Sequence, residues 1–248
     1  MRLLQIFLVM FACAISGTAS ANCQAVAKMV SFDGQVSVKP AGKVLKTSPG
    51  ALPRTLCAGD EVHTFEGRAL INDGRSAVAL DRFSVVAFNA AGRAALDKGL
   101  ALFEVKKRTA EAGVEVKTRL SVIGVKGTRF LVGDKNDDVS VVLDEGVVDI
   151  ASTQGPVGLY REKTVTRPPD EDYESYARRL AEGVAGEQAA FEKYKTQVQR
   201  EFVAYVENLT LAAGKELVTA GRIAVERDIS GESAKAIKSL CTWKDKQH

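Results

Sequence analysis

The sequence predicts a mainly β protein with an α-helical C-terminal appendage. Two observations carry this. Between residues 25 and 166, short apolar runs recur at intervals of about 8–12 residues with Gly, Asp or Asn at most of the breaks, the spacing of strands in a sandwich, barrel or solenoid. After Pro168-Pro169 the pattern changes to helix formers with apolar residues three and four apart. A third observation bounds the whole. Arg2 precedes an apolar run from Leu3 to Ile15, broken only by Gln5, and Ala19-Ser20-Ala21 follows as an A-x-A site. That is the layout of a secretory signal peptide, with cleavage expected after Ala21 and a periplasmic or secreted product. The run is too short to span a bilayer core of about 30 Å, and no later segment approaches spanning length, so no stable membrane anchor is expected.

The expected strands follow in order. Val26, Met29 and Val30 lead to Gly34, and Val36 and Val38 then alternate with polar residues. Val62 and Thr64 precede Ala69-Leu70-Ile71, the hairpin-type turn Asn72-Asp73-Gly74 and the return strand Ala77 to Leu80. Further strands are expected at 85–88, 100–105, 114–118, 121–125, 129–132, 139–143 and 147–150. Phe65, Phe83, Phe88 and Phe103 are expected mostly in the core.

The proline pair cannot continue a strand ladder, and Asp170, Glu171, Asp172 and Glu174 suit a helix N-terminus. Tyr173, Tyr176, Leu180 and Val184 begin an apolar stripe, which Phe191, Tyr194, Val198, Phe202, Tyr205 and Leu209 continue. A second helix is expected over about 215–226 and a short third over 233–241. The stripe packs on the β domain or its helical neighbours, or serves self-association through the C-terminal helices or as a partner-binding face. The expected organisation is a signal peptide over 1–21, a β domain over 22–167 and a helical region over 168–248.

Several segments of the β region, in this order and spacing, resemble the FecR-like domain family. They are Gly34-Gln35-Val36-Ser37-Val38, Leu56-Cys57-Ala58-Gly59-Asp60-Glu61-Val62, Gly67-Arg68-Ala69-Leu70, Asp73-Gly74, and Gly99 ahead of a strand. The set ends with Ile123 to Val132, which contains Gly127-Thr128-Arg129-Phe130, and with Asp144-Glu145-Gly146-Val147-Val148. The resemblance implies a twisted β-solenoid or two-layer β domain that acts as a non-enzymatic protein-interaction and signalling module. It also implies a stand-alone exported member, since the anti-sigma region and membrane helix of the family's signal transducers are not seen in this sequence. Read as residues, Gly34, Gly59, Asp60, Arg68, Asp73, Gly74, Gly127, Thr128, Phe130, Glu145 and Gly146 are first of all structural. Glycines permit positive φ, and Asp side chains bond nearby backbone N–H groups.

Motifs for chemistry are scarce. The sequence has two histidines, His63 and His248, and no HExxH, G-x-S-x-G, P-loop or G-x-G-x-x-G motif, so no cofactor or metal is expected. Signal removal would leave Cys23, Cys57 and Cys241. One disulfide is permissible on export, and Cys23–Cys57 is favoured because both flank the first strands, although sequence cannot fix the pair. Cys57 as a nucleophile would have only His63 near it as a base. Asp134 to Asp138 reads as a hairpin turn rather than a calcium loop, because the downstream glycine and bidentate Glu are missing. A formal charge of +3 gives no case for nucleic acid. The expected function is a periplasmic protein-interaction module with an envelope protein partner in signalling or assembly. The alternative is a peptidoglycan- or surface-glycan-binding module.

Overall fold

The structure, a computed structural model, describes residues 23–106, 113–125, 127–162 and 200–247. The signal segment, the Pro168-Pro169 boundary and the stripe from Tyr173 to Val198 lie outside the described residues. The described chain is mainly β with one C-terminal helix.

The first strands are β1 (Ala25–Asp33), β2 (Val36–Lys39), β3 (Arg54–Cys57), β4 (Asp60–Thr64), β5 (Arg68–Asn72) and β6 (Ser76–Leu80). Next come β7 (Val85–Ala90), β8 (Arg93–Val105), β9 (Val114–Lys117), β10 (Ser121–Val125), β11 (Arg129–Lys135), β12 (Asp138–Glu145) and β13 (Val147–Ser152). The last are β14 (Val157–Glu162), β15 (Arg200–Val206), β16 (Asn208–Ala212), β17 (Lys215–Ala220) and β18 (Ile223–Asp228), followed by helix α1 (Gly231–Asp245).

Pairing sorts the strands into two ladders that share β8. One ladder runs β3-β1-β5-β6-β8-β11-β12-β17-β18-β14-β15. The other runs β2-β4-β7-β8-β9-β10-β13-β16. Neither closes on itself among the described residues. Neighbours are antiparallel except at β14–β18 and β8–β9, so stacked solenoid coils are not what the pairing describes.

The change of ladder within β8 happens at Gly99. Arg93 to Lys98 pair with β7, and Leu100 to Val105 pair with β6 and β11. Gly99 has φ +94°, and a Cβ there would lie 2.5 Å from Ser84 Cα. Only glycine combines that conformation with that approach. Ser84 Oγ accepts from Leu100 N–H at 2.9 Å and so secures the corner.

The main core lies between the ladders. Ile71, Val78, Phe103, Phe130, Val141 and Leu143 come from the first, and Val38, Val62, Phe88, Leu96, Val116, Ile123 and Val148 from the second. Period-two alternation sends the intervening residues of the first ladder to its other face, where Leu70, Ala79, Leu102, Leu131 and Val142 would be bare. Helix α1 covers them with Ile237, Leu240 and Trp243, spaced three apart. Each such burial is worth about 1.5–3 kcal/mol. Ser230 caps α1, its Oγ accepting from Ser233 N–H at 3.2 Å.

Three expectations are overturned. The segment 215–226 is not a helix but the β17–β18 hairpin, turning at Gly221 (φ +55°). Its β-branched Val218, Thr219, Ile223 and Val225 favour strands, and the edge of β12 supplies a partner for β17. The helical stripe does not run through Phe202, Tyr205 and Leu209, which lie in β15 and β16. Residues 200–228 therefore rejoin the two β ladders, and the helical part of the C-terminal region among the described residues is α1 alone. Finally, Phe83 is not core. It is 58% exposed with φ +58°, whereas Phe88 and Phe103 are fully buried.

Candidate functional site

The signature residues are engaged in holding turns. Gly34 (φ +58°) and Gly67 sit where the β1–β2 and β4–β5 turns meet, and a Cβ on Gly34 would lie 2.8 Å from Gly67 Cα. Gly59 has φ +84°. Buried Asp60 accepts from Ala41 N–H and Cys57 N–H, both at 2.9 Å. Asp73, also buried, accepts from Arg75 N–H (2.8 Å) and Ser76 N–H (2.6 Å) on one oxygen. Its other oxygen accepts from Ser76 Oγ (3.0 Å) and Gly92 N–H (3.1 Å). Gly74 (φ +84°) completes that turn, its N–H donating to Asn72 Oδ1.

Gly127 (φ +62°) and Gly146 (φ +94°) bracket Thr128, whose carbonyl accepts from Val105 N–H at 2.8 Å. A side chain on Gly146 would collide with Thr128. Phe130 stacks on Phe103 with centroids 5.2 Å apart in the core. Glu145 pairs with Arg129, which also pairs with Asp144.

Arg68 reaches further. Its Nε donates to Asp81 Oδ1 at 2.8 Å, and its Nη2 donates to Ser239 Oγ of α1 at 3.1 Å. It is one of several polar ties between α1 and the sheet. Trp243 Nε1 donates to Asp33 Oδ2 at 2.6 Å, Lys244 pairs with Glu104, and Ser31 bonds Gln247. Under the start of the helix, buried Glu216 accepts from Ser230 N–H and Ser233 Oγ and pairs with Arg227. Burial pushes its pKa up, but these donors outweigh burial and the net shift is downward.

The cysteines pair as Cys23–Cys57, with Cα atoms 5.1 Å apart. Cys57 is therefore not a thiol nucleophile. Cys241 is a free thiol packed beside the α1 face, and burial raises its pKa.

His63, Glu61, Lys39 and Ser37 form a row on the outer side of β2 and β4. Glu61 bridges Lys39 (2.7 Å) and His63 Nε2 (2.9 Å), and the Lys39 ammonium holds its pKa below the usual carboxylate range. Ser37 lies opposite His63, yet its buried Oγ has no hydrogen-bond partner, so the row lacks the bond from nucleophile to base that a hydrolytic triad needs. Asn136 and Asp137 both have positive φ, and the acidic run 134–138 makes the β11–β12 hairpin turn. Arg119 engages Asp134 and Asp137, and no cluster suited to a metal ion occurs among the described residues.

Two surface features were not legible in the sequence. A groove of about 550 Å³ runs beside the first turns of α1, lined by Phe83, Leu100, Leu131, Lys135, Ser140 and Glu216 among others. At the far end of the first ladder, Tyr160, Phe202 and Tyr205 form an edge-to-face ring cluster, with centroids 5.5 Å and 5.2 Å apart. Gly158 lies under both tyrosine rings, at ordinary contact distance for a Cβ. Tyr205 is 76% exposed.

Comparison with known proteins agrees with the β region. Residues 60–149 match the family described as FecR protein. No curated protein matches the chain. Among solved structures, the fold is similar to a provisionally assigned anti-sigma factor from Parabacteroides distasonis ATCC 8503. The first such structure is 12% identical, covers 65% of this chain and 55% of its own, and has a TM-score of 0.37. A second is 11% identical, covers 71% and 62%, and has a TM-score of 0.42. The chain thus spans less than two thirds of either relative. The stretch that matches the FecR protein family, residues 60–149, runs from the start of β4 into β13.

Proposed function

We propose that this chain is an exported, non-enzymatic interaction module of the bacterial envelope, acting in signalling or assembly by docking a partner protein. The family match over residues 60–149 carries this reading. The signature side chains that hold turns are already occupied within the fold, which leaves the outer surfaces for contact. The groove beside α1 is the preferred seat. Phe83 stands at its rim in a left-handed conformation that a bulky residue adopts only at a cost of about 1–3 kcal/mol. The ring is 58% exposed there and available for contact. The A-x-A site after a short apolar run supports export, as does a disulfide between Cys23 and Cys57.

The test is in vivo photocrosslinking from position 83 in the native envelope, with mass spectrometry of the adducts. One dominant envelope protein is expected, and Phe83→Ala should abolish its capture in a pull-down. Background proteins alone would sink the reading.

A glycan-binding module is the second reading, favoured by the exposed rings of Tyr205 and Phe202, since sugar faces stack on aromatic surfaces. Purified sacculi that leave the protein in the supernatant would remove it.

A further inference from the structure

We propose that β15 is a self-association edge, through which two copies of this chain pair in an antiparallel, two-fold arrangement. The inference rests on the edge itself and not on the signalling reading. β15 is the last strand of its ladder, and among the described residues no strand pairs with its other side. The other terminal strands are shorter. β2 and β3 have four residues each and β16 has five, against seven in β15. β3 is further tied down by the disulfide at Cys57. β15 reads Arg-Glu-Phe-Val-Ala-Tyr-Val, without Pro, Gly or Lys, and its two charges cancel. Such a strand is a template for pairing unless something covers it.

The choice of a second copy comes from a bulge. β14 sets Leu159 opposite Ala204 but Tyr160 opposite Phe202, so Val203 is the extra residue. In a regular strand, residues three apart face opposite sides. Here the bulge brings Phe202 and Tyr205 to one face, with their rings 5.2 Å apart. A two-fold axis normal to the sheet can then set Phe202 opposite Tyr205 of the second copy, and Tyr205 opposite Phe202 of that copy. The same register brings Arg200, which lies 3.9 Å from Glu162 of its own β14, towards Glu207 just past the end of the strand in the second copy, and the reciprocal pair by symmetry. Without the bulge this register would demand that residues on opposite faces meet. One displacement in the chain thus aligns two aromatic pairs and two opposite-charge pairs across the axis, the isologous complementarity of a dimer. Phe202 (46%), Val203 (42%) and Tyr205 (76%) are exposed and would be covered by it.

Light scattering of the purified mature chain, from micromolar to sub-millimolar concentration, tests the proposal. A dimer mass is expected. Arg200→Glu and Glu207→Arg each place like charges opposite one another twice, and each should raise the dissociation constant about tenfold. The double variant R200E/E207R restores opposite charges in swapped positions and should return the dimer, with unchanged circular dichroism throughout. Tyr205→Ser should also shift the mass towards monomer. A wild-type monomer at every concentration overturns the proposal. A dimer indifferent to these variants, or one that the double reversal fails to restore, also overturns it.

Discussion

Asp73 separates a structural signature from a ligand site, so its replacement is informative. It is 8% exposed and accepts four hydrogen bonds. Three of these, from Ser76 N–H, Ser76 Oγ and Gly92 N–H, are buried, and the Ser76 hydroxyl can rotate to another acceptor. Asp73→Ala therefore strands two buried backbone donors and removes an anionic acceptor. At about 1–3 kcal/mol for each stranded donor, the expected loss is about 3–5 kcal/mol. Asp73→Asn keeps one acceptor oxygen but can turn an amide N–H towards Gly92 N–H, and should cost about 1–2 kcal/mol. Asp137→Ala, at a side chain 95% exposed in the next acidic turn, should cost under about 0.5 kcal/mol. Urea unfolding with an unchanged slope is the assay. A loss below about 1 kcal/mol for Asp73→Ala would refute the structural account, because the four bonds would then be dispensable and the carboxylate free for a ligand.

Four further outcomes are expected. Cys23→Ser with Cys57→Ser opens a loop of 34 residues and should lower unfolding free energy by about 4 kcal/mol by chain entropy, read from denaturant midpoints with and without reductant. Trp243→Ala should cost about 3–5 kcal/mol by uncovering the α1 face, whereas Trp243→Phe loses only the bond to Asp33 and should cost about 1–2 kcal/mol. Gly99→Ala should destabilise strongly, because φ +94° is strained for alanine and Ser84 occupies the space, and thermal melts would show it. Glu216 has a folded pKa below its ordinary 4.5, so its stabilising contribution is full above that value and lost as pH falls through the folded pKa. Glu216→Gln should flatten the acid limb of stability below about pH 4.5, measured by unfolding at stepped pH.

The strands from β4 to β13 were legible because most are short, apolar on alternate positions and closed by a glycine, aspartate or asparagine. Val62, Ile71, Val78, Phe130 and Val148 all point into the core that this alternation implies. The first half of β8 was missed, since Arg93 to Lys98 is polar enough to read as loop and only Gly99 marks the corner. The C-terminal reading failed for a definite reason. Phe202, Tyr205 and Leu209 are three and four apart, which is a helix signal, but a bulge and a change of ladder yield the same spacing from strands. Gly214 and Gly221, flanking a β-branched run, were the available hint of a hairpin. The apolar spacing places the last helix over 233–241, and the structure extends it to Gly231–Asp245, with Ser230 as its cap and Glu232 in its first turn. Neither the groove beside α1 nor the ring cluster has a local pattern, since each brings together residues more than 40 positions apart.

The family segment is not a complete surface by itself. In the first ladder its strands run from β5 to β12, and in the second from β4 to β13, which leaves four open edges. Strands from outside the segment close all four: β1 lies on β5, β17 on β12, β2 on β4 and β16 on β13. Helix α1 then covers the remaining apolar face. An uncovered edge or apolar face invites association, so these additions decide which surfaces the family fold can offer. In this chain they close every edge of the shared segment, and among the described residues the longest edge strand left is β15, seven residues of balanced charge with two rings on one face. The shared segment accounts for the shape, and the additions account for where a second molecule can bind.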